Sequence, residues 1–300
     1  MRAFLEQYGV GIFVLVLMSI LLAFAAPIGS TIKNATNEQI KNVENLTQNY
    51  GHGKSKPTEI YSCLYNDGEL VLSAHEIKND ENIVNNYWKM ADQTKAPWLT
   101  DASKIVSVRI EGTVAPTACE KWFYNCANLT TLKNFDYIDV SNVANLSWMF
   151  CGCKKLSDID DLWYWDVSNV HEFGAMFQQT NITNTNALEN WNTSKGEWFY
   201  GTFYYCKNLS DLSGLRKWNM SNAKYMGSMF YGNSSLTDLS PLSNWKVENV
   251  YNFNSMFFHS DNIKNANVLS SWIPQLLKNA NINSMFTRND SSTIPNPFYN

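Results

Sequence analysis

Residues 165–177 read WDVSNVHEFGAMF, residues 218–230 read WNMSNAKYMGSMF, and residues 245–257 read WKVENVYNFNSMF. All three share a frame that opens on Trp, carries Asn four positions later and closes on Met-Phe. The closing phenylalanine recurs as Phe123, Phe150, Phe177, Phe203, Phe230, Phe257 and Phe286, at intervals of 27, 27, 26, 27, 27 and 29 residues. Twelve positions before the Phe stands Ile138, Trp165, Trp191, Trp218 or Trp245; Trp272 precedes Phe286 by fourteen, so the last unit carries an insertion. A unit of this length cannot bury its apolar side alone. Stacked copies place Phe on Phe and Leu on Leu and form one continuous core.

Other positions keep the same step. Three residues after the Phe come Cys126, Cys153, Thr180, Cys206, Asn233 and Ser260, all small or polar. Leu129, Leu156, Leu209, Leu236 and Ile263 follow at six, and Phe135, Leu162, Leu215, Leu242 and Leu269 at twelve. The third unit is the least regular. Asn142, Asn169, Asn222 and Asn249 share one position, where stacked amides satisfy backbone groups from rung to rung. These features predict an α/β repeat, a leucine-rich-repeat-like solenoid of about six 26–29-residue units over residues 119–290, with short parallel strands pairing between units.

Outward from the repeat, residues 58–118 read as a small β-rich N-terminal cap that covers the exposed end of the array. EIYSCLY and ELVLSAHE flank Asn66-Asp67-Gly68 as a hairpin. ENIVNNYWKMA is expected to be helical, and KIVSVRIEG (104–112) to be a strand with Val106, Val108 and Ile110 on one face. Residues 30–57 are polar and rich in Asn and read as a flexible linker, and 291–300 as a tail. Residues 1–29 contain an uncharged run from Gln7 to Ile32, long enough for one transmembrane helix over 8–28. An uncleaved anchor is favoured over a signal peptide cut near Ala25, which would release a secreted chain. Either way the bulk of the chain is expected outside the cytoplasm, attached to the cell membrane in the first case.

The frame W-D-V-S-N-V-x-x-F-x-x-M-F-x-x-C-x-x-L, carried by DVSNVANLSWMFCGCKKL (139–156) and NMSNAKYMGSMFYGNSSL (219–236), resembles the BspA-type leucine-rich repeats of bacterial surface proteins, also described as the DUF285 family. The lead-in KIVSVRIEGTVAPTACEKWFYNCANL resembles the segment that precedes the array in that family. The resemblance covers about residues 104–286. It implies a surface-exposed adhesive or ligand-binding protein and brings no catalytic residues.

The chemistry of the chain is sparse. A net charge of −4 gives no footprint for nucleic acid. Charged residues are 17% of the chain, with Asn, Ser and Thr in the polar role, which fits an extracytoplasmic protein. Cys63, Cys119, Cys126, Cys151, Cys153 and Cys206 match no zinc or redox spacing. They read as buried small residues, with disulfides the alternative. His52, His75, His171 and His259 are scattered, and Asp158, Asp160 and Asp161 read as a solvated turn rather than a calcium loop. No metal, cofactor or catalytic constellation is expected. Aromatics in repeat register, such as Trp165, Trp218 and Trp245, are assigned to the core. Trp148, Trp163, Tyr164, Trp198, Tyr200, Tyr204, Tyr205, Tyr225, Tyr231 and Tyr251 lie off that register and form the candidate ligand-contact surface. The expected function is non-catalytic adhesion or recognition of a protein or glycan. The alternative is a structural or assembly scaffold of the envelope or of a mobile element, and a wall hydrolase is disfavoured for want of an acid–base pair.

Overall fold

The computed structural model describes residues 58–78 and 83–286, together with Pro295 and Phe298. It begins with a mixed five-stranded sheet. In chain order the strands are β1 (Tyr61–Tyr65), β2 (Glu69–Ser73), β3 (Ile83–Lys89), β4 (Ser107–Glu111) and β5 (Thr131–Lys133), arranged β3-β1-β2-β4-β5. β1 pairs antiparallel with β2 and β3, whereas β2–β4 and β4–β5 are parallel. The β1–β2 turn closes where expected. Gly68 sits at φ +87°, and a Cβ there would lie 2.6 Å from the Lys104 carbonyl oxygen, so only glycine fits.

Two local expectations are corrected. ENIVNNYWKMA supplies β3 rather than a helix, because β1 offers its backbone an antiparallel partner from Tyr61↔Lys89 to Tyr65↔Ile83. Val108 and Ile110 face the core of β4, but Val106 precedes the strand and is exposed.

From Cys119 onward the units stack. The seven anchor phenylalanines form one unbroken column with ring centroids 5.0–5.9 Å apart and planes within 17° of parallel. Trp98 lies over its first member, Phe123, and donates its indole N–H to the Trp122 carbonyl at 2.6 Å. A second column holds Phe135, Trp165, Trp191, Trp218, Trp245 and Trp272 at 6.1–6.5 Å. Each Trp donates its Nε1–H to a carbonyl of the unit before: Trp165 to Phe135, Trp191 to Leu162, Trp218 to Leu188, Trp245 to Leu215 and Trp272 to Leu242, at 2.8–3.1 Å. The indole therefore fills the core and ties two units together. The irregular third unit joins both columns through Phe177 and Trp191, with Ile182 and Leu188 buried beneath them.

The backbone explains why these units are not strands. Every anchor Phe from Phe123 to Phe257 donates its N–H to the residue before the next anchor, Met149, Met176, Thr202, Met229, Met256 or Met285, at 2.8–2.9 Å. Two residues before and two after the anchor, φ is positive: Lys121 and Asn125, Trp148 and Gly152, Ala175 and Gln179, Gly201 and Tyr205, Ser228 and Gly232, Ser255 and His259. Each is the third residue of a four-residue turn such as Leu146–Met149 or Phe150–Cys153, closed by an N–H to carbonyl bond except at Gly232, where the Asn233 N–H donates to Ser260 Oγ instead. A left-handed residue every fourth position cannot continue a β-strand.

The expected α/β leucine-rich-repeat solenoid is accordingly corrected. The described residues hold the mixed sheet, short 3-10 helices and single-residue parallel bridges between units, such as Glu172↔Trp198 and Trp198↔Tyr225, with no α-helix among them. The longest 3-10 segment, Ala266–Gln275, takes up the insertion of the last unit. The membrane assignment is corrected too. Among the described residues no helix is long and apolar enough to cross a membrane, so the structure does not support a single-pass anchor or the membrane location built on it. The segment 1–29 itself, like the linker 30–57, lies outside the described residues.

Candidate recognition surface

The turn geometry decides which side chains reach solvent. In WFYGTFYY (198–205) Phe199, Thr202 and Phe203 are buried, Trp198 and Tyr200 are exposed, and Tyr204 and Tyr205 are half-buried. The next unit repeats this with YMGSMFYG (225–232): Met226, Met229 and Phe230 are buried, and Tyr225 and Tyr231 are half-buried. Because each unit is a translated copy, side chains at one position meet across units.

Two aromatic groups result. In the first, Trp198 and Tyr225 stack with centroids 3.8 Å apart and planes at 20°, and Tyr251 meets Tyr225 edge-on at 4.9 Å. A hydrogen bond to the Tyr251 hydroxyl holds the Tyr225 phenol pKa above its usual value. Beside them Lys224 pairs with Glu197, which raises the lysine pKa. In the second group Tyr204 stacks on Tyr231 at 4.8 Å, with Tyr205 tilted against both. Tyr205 lies over Gly232, where a Cβ would come 3.2 Å from its ring atoms. Tyr200 lies between Trp198 and Tyr204 in the chain, its ring 3.2 Å from where a Cβ on Gly227 would sit. It is 50% exposed, and it stands close enough to Tyr204 that its charge, after burial and the Tyr231 and Tyr205 phenols, helps push the Tyr204 pKa up.

Six of the ten candidates thus fall in these two groups, and Tyr200 lies on the same stretch as Trp198 and Tyr204. Trp148 is exposed under the Lys121 ammonium, 4.7 Å from its ring centroid, in an earlier unit. Trp163 and Tyr164 sit on the 3-10 segment Asp160–Tyr164, not on the stretch that carries the cluster. Phe258 and His259 were missed. They extend the second group through contacts to Tyr231 at 5.6 and 5.4 Å. Counting from the anchor would have found them, since they follow Phe257 as Tyr204 and Tyr205 follow Phe203.

The remaining sequence candidates have structural roles. All six cysteines are free and buried. Burial pushes the thiols of Cys126 and Cys206 up to about 12 and that of Cys151 up to about 11. Cys153, Cys206 and Ser260 donate to the anchor carbonyl of the preceding unit, Phe123, Phe177 and Phe230 respectively. Asn169, Asn222 and Asn249 donate to the carbonyls of Ser141, Ser194 and Ser221 at 2.6–2.7 Å, the inter-unit role expected of them, although they lie at the edge of the stack rather than inside it. Asp158 accepts the Asp160 N–H and so serves a turn, and Asp161 accepts the Phe135 N–H of the preceding unit. Among the described residues no group of three or more His, Cys, Asp or Glu is arranged to hold a metal ion.

Stacked aromatic units with exposed Tyr and Trp at matching positions define a repeat protein that presents a side-chain ridge. The family described as "Mycoplasma protein of unknown function, DUF285" matches residues 117–235 and 202–295, and the chain belongs to that family. No curated protein and no solved structure matches the chain.

Proposed function

We propose that this protein is a non-catalytic recognition protein whose ligand, a protein or a glycan, is held on the aromatic ridge built from Trp198, Tyr200, Tyr225 and Tyr251, adhesive use included. The observation that carries this reading is the face-to-face stack of Trp198 on Tyr225, which lies at the surface and not in the core, beside the half-exposed Tyr200. Large rigid aromatics with polar tips give contact area at small entropic cost and dominate binding hot spots. The resemblance of the repeat to BspA-type proteins points the same way. The test is direct binding. The immobilised full chain is challenged with an oligosaccharide array and a panel of purified proteins, beside a Trp198→Ala/Tyr200→Ala variant of equal thermal stability. Ligands retained by the native chain and lost by the variant support the reading; a ligand held equally by both refutes it.

A further inference from the structure

One flank of the ridge has its own chemistry. Trp198 has one ring face covered by Tyr225, and its other face looks toward the preceding unit, where the bridged position holds Glu172. Two residues on, the position that carries Tyr200 carries only Gly174 in that preceding unit. A Cβ on Gly174 would make only ordinary contacts, with Ser147 Oγ at 3.5 Å and the Tyr200 carbonyl at 3.6 Å, so no side chain of that unit crowds this position. The site thus offers the outer face of Trp198 and a carboxylate beside it, next to a half-exposed glycine, while the Tyr200 ring leans the other way over Gly227, whose Cβ would lie 3.2 Å from its Cδ2. Among the described residues no Lys or Arg pairs with Glu172: Lys224 is taken by Glu197, and Lys195 by Asn169 Oδ1 at 2.6 Å.

We infer that this site receives an arginine side chain of a protein partner, with the guanidinium stacked on Trp198 and paired with Glu172. The inference rests on the recognition reading above and names the partner's chemistry. A planar delocalised cation stacks on an aromatic face while its N–H fork meets a carboxylate, and it sheds water more readily than an ammonium. The chain builds the same triad internally. Lys121 sits 2.8 Å from Glu120 and 4.7 Å from the Trp148 ring centroid, so carboxylate, cation and indole already meet once on these units. At Glu172 and Trp198 the carboxylate and the indole are present and this chain supplies no cation. A net charge of −4 favours approach of a basic segment.

The test uses the full chain and an acetylated Gly-Arg repeat octapeptide, with the citrulline version as the uncharged isostere, read by tryptophan emission and calorimetry. Binding of the arginine peptide is expected to weaken about tenfold or more with the citrulline peptide, in Glu172→Gln, and in Gly174→Leu, which adds bulk beside Trp198 and Glu172 without backbone strain. Failure of the arginine peptide to bind, or equal binding to Glu172→Gln and Gly174→Leu, overturns the inference. So does an oligosaccharide that binds through Trp198 while the arginine peptide does not, an outcome that leaves the recognition reading standing. Arginine-peptide binding untouched by Trp198→Ala overturns both.

Discussion

Replacing Trp218 by Phe separates the two things the tryptophan column does. Trp218 is 3% exposed, stacked between Trp191 at 6.2 Å and Trp245 at 6.5 Å, and donates to the Leu188 carbonyl at 3.0 Å. A phenyl ring keeps a place in the column but loses the donor. The Leu188 carbonyl still accepts the Trp191 N–H at 3.2 Å, so the lost bond costs about 1 kcal/mol rather than the full penalty of an orphaned buried acceptor. The missing part of the indole leaves a gap worth roughly 1–2 kcal/mol in a core that cannot close over it. The expected total is about 2–3 kcal/mol, or roughly 4–12 °C in melting temperature for a body of this size. Thermal unfolding of the full chain by circular dichroism measures it, with exposed Trp198→Phe as a control expected within about 0.5 kcal/mol of native. Equal melting of Trp218→Phe and the control would refute the assignment of Trp218 to a buried inter-unit tie.

Three further outcomes are expected. Gly214→Ala should destabilise by about 2 kcal/mol or more, because its Cβ would fall 1.8 Å from the Thr185 carbonyl oxygen of the preceding unit; Gly174→Ala, whose Cβ would make only ordinary contacts, should melt within about 0.5 kcal/mol of native. Asn233→Ser should raise stability by about 1 kcal/mol in denaturant titration, since both amide atoms of Asn233 are buried without a protein partner and a hydroxyl there can donate to the Phe203 carbonyl as Ser260 does to Phe230. A loss of stability would contradict it. The thiols of Cys126, Cys151 and Cys206 ionise less readily folded than unfolded, so their contribution is complete below the unfolded thiol pKa near 8.5 and is lost as pH rises toward the folded values of about 11 to 12. Stability measured from pH 8 to 11 should therefore fall, and a thiol reagent at pH 8 should react only after unfolding; rapid reaction of the native chain would contradict their burial.

The columns were legible because they depend on spacing alone. An interval of 26 to 29 residues between phenylalanines survives any choice of local backbone, so Phe-on-Phe contact and the burial of Trp165, Trp218 and Trp245 followed from counting. Secondary structure did not follow. The left-handed turns that replace strands are filled by Lys121, Trp148, Gln179 and Tyr205 as readily as by Gly152 or Gly232, so residue type does not announce them. Inter-unit backbone bonds and packing on both sides hold these residues where intrinsic preference would not.

The polar composition has a structural use that counting did not show. Asp166, Asn192 and Asn219 each accept the N–H two residues on, as do Asp211 and Asp238 in the next turn of their units. Much of the Asn, Asp and Ser content builds these turns and says little about compartment. The ridge was half legible. Off-register aromatics pointed to it, but sorting by residue type included Trp163 and Tyr164 and passed over His259, Phe258 and the glycine at 174, whose importance lies in the side chain it lacks.

The most direct measurement is a double-mutant cycle on Trp198 and Tyr225, using Trp198→Ala, Tyr225→Ala and the pair. Both side chains reach the surface, so neither truncation opens a core cavity, and the coupling reports only whether consecutive units hold the same position face to face. Stacking at 3.8 Å predicts a favourable coupling of about 0.5–1.5 kcal/mol. Strictly additive effects would contradict the register on which both the core and the ridge depend.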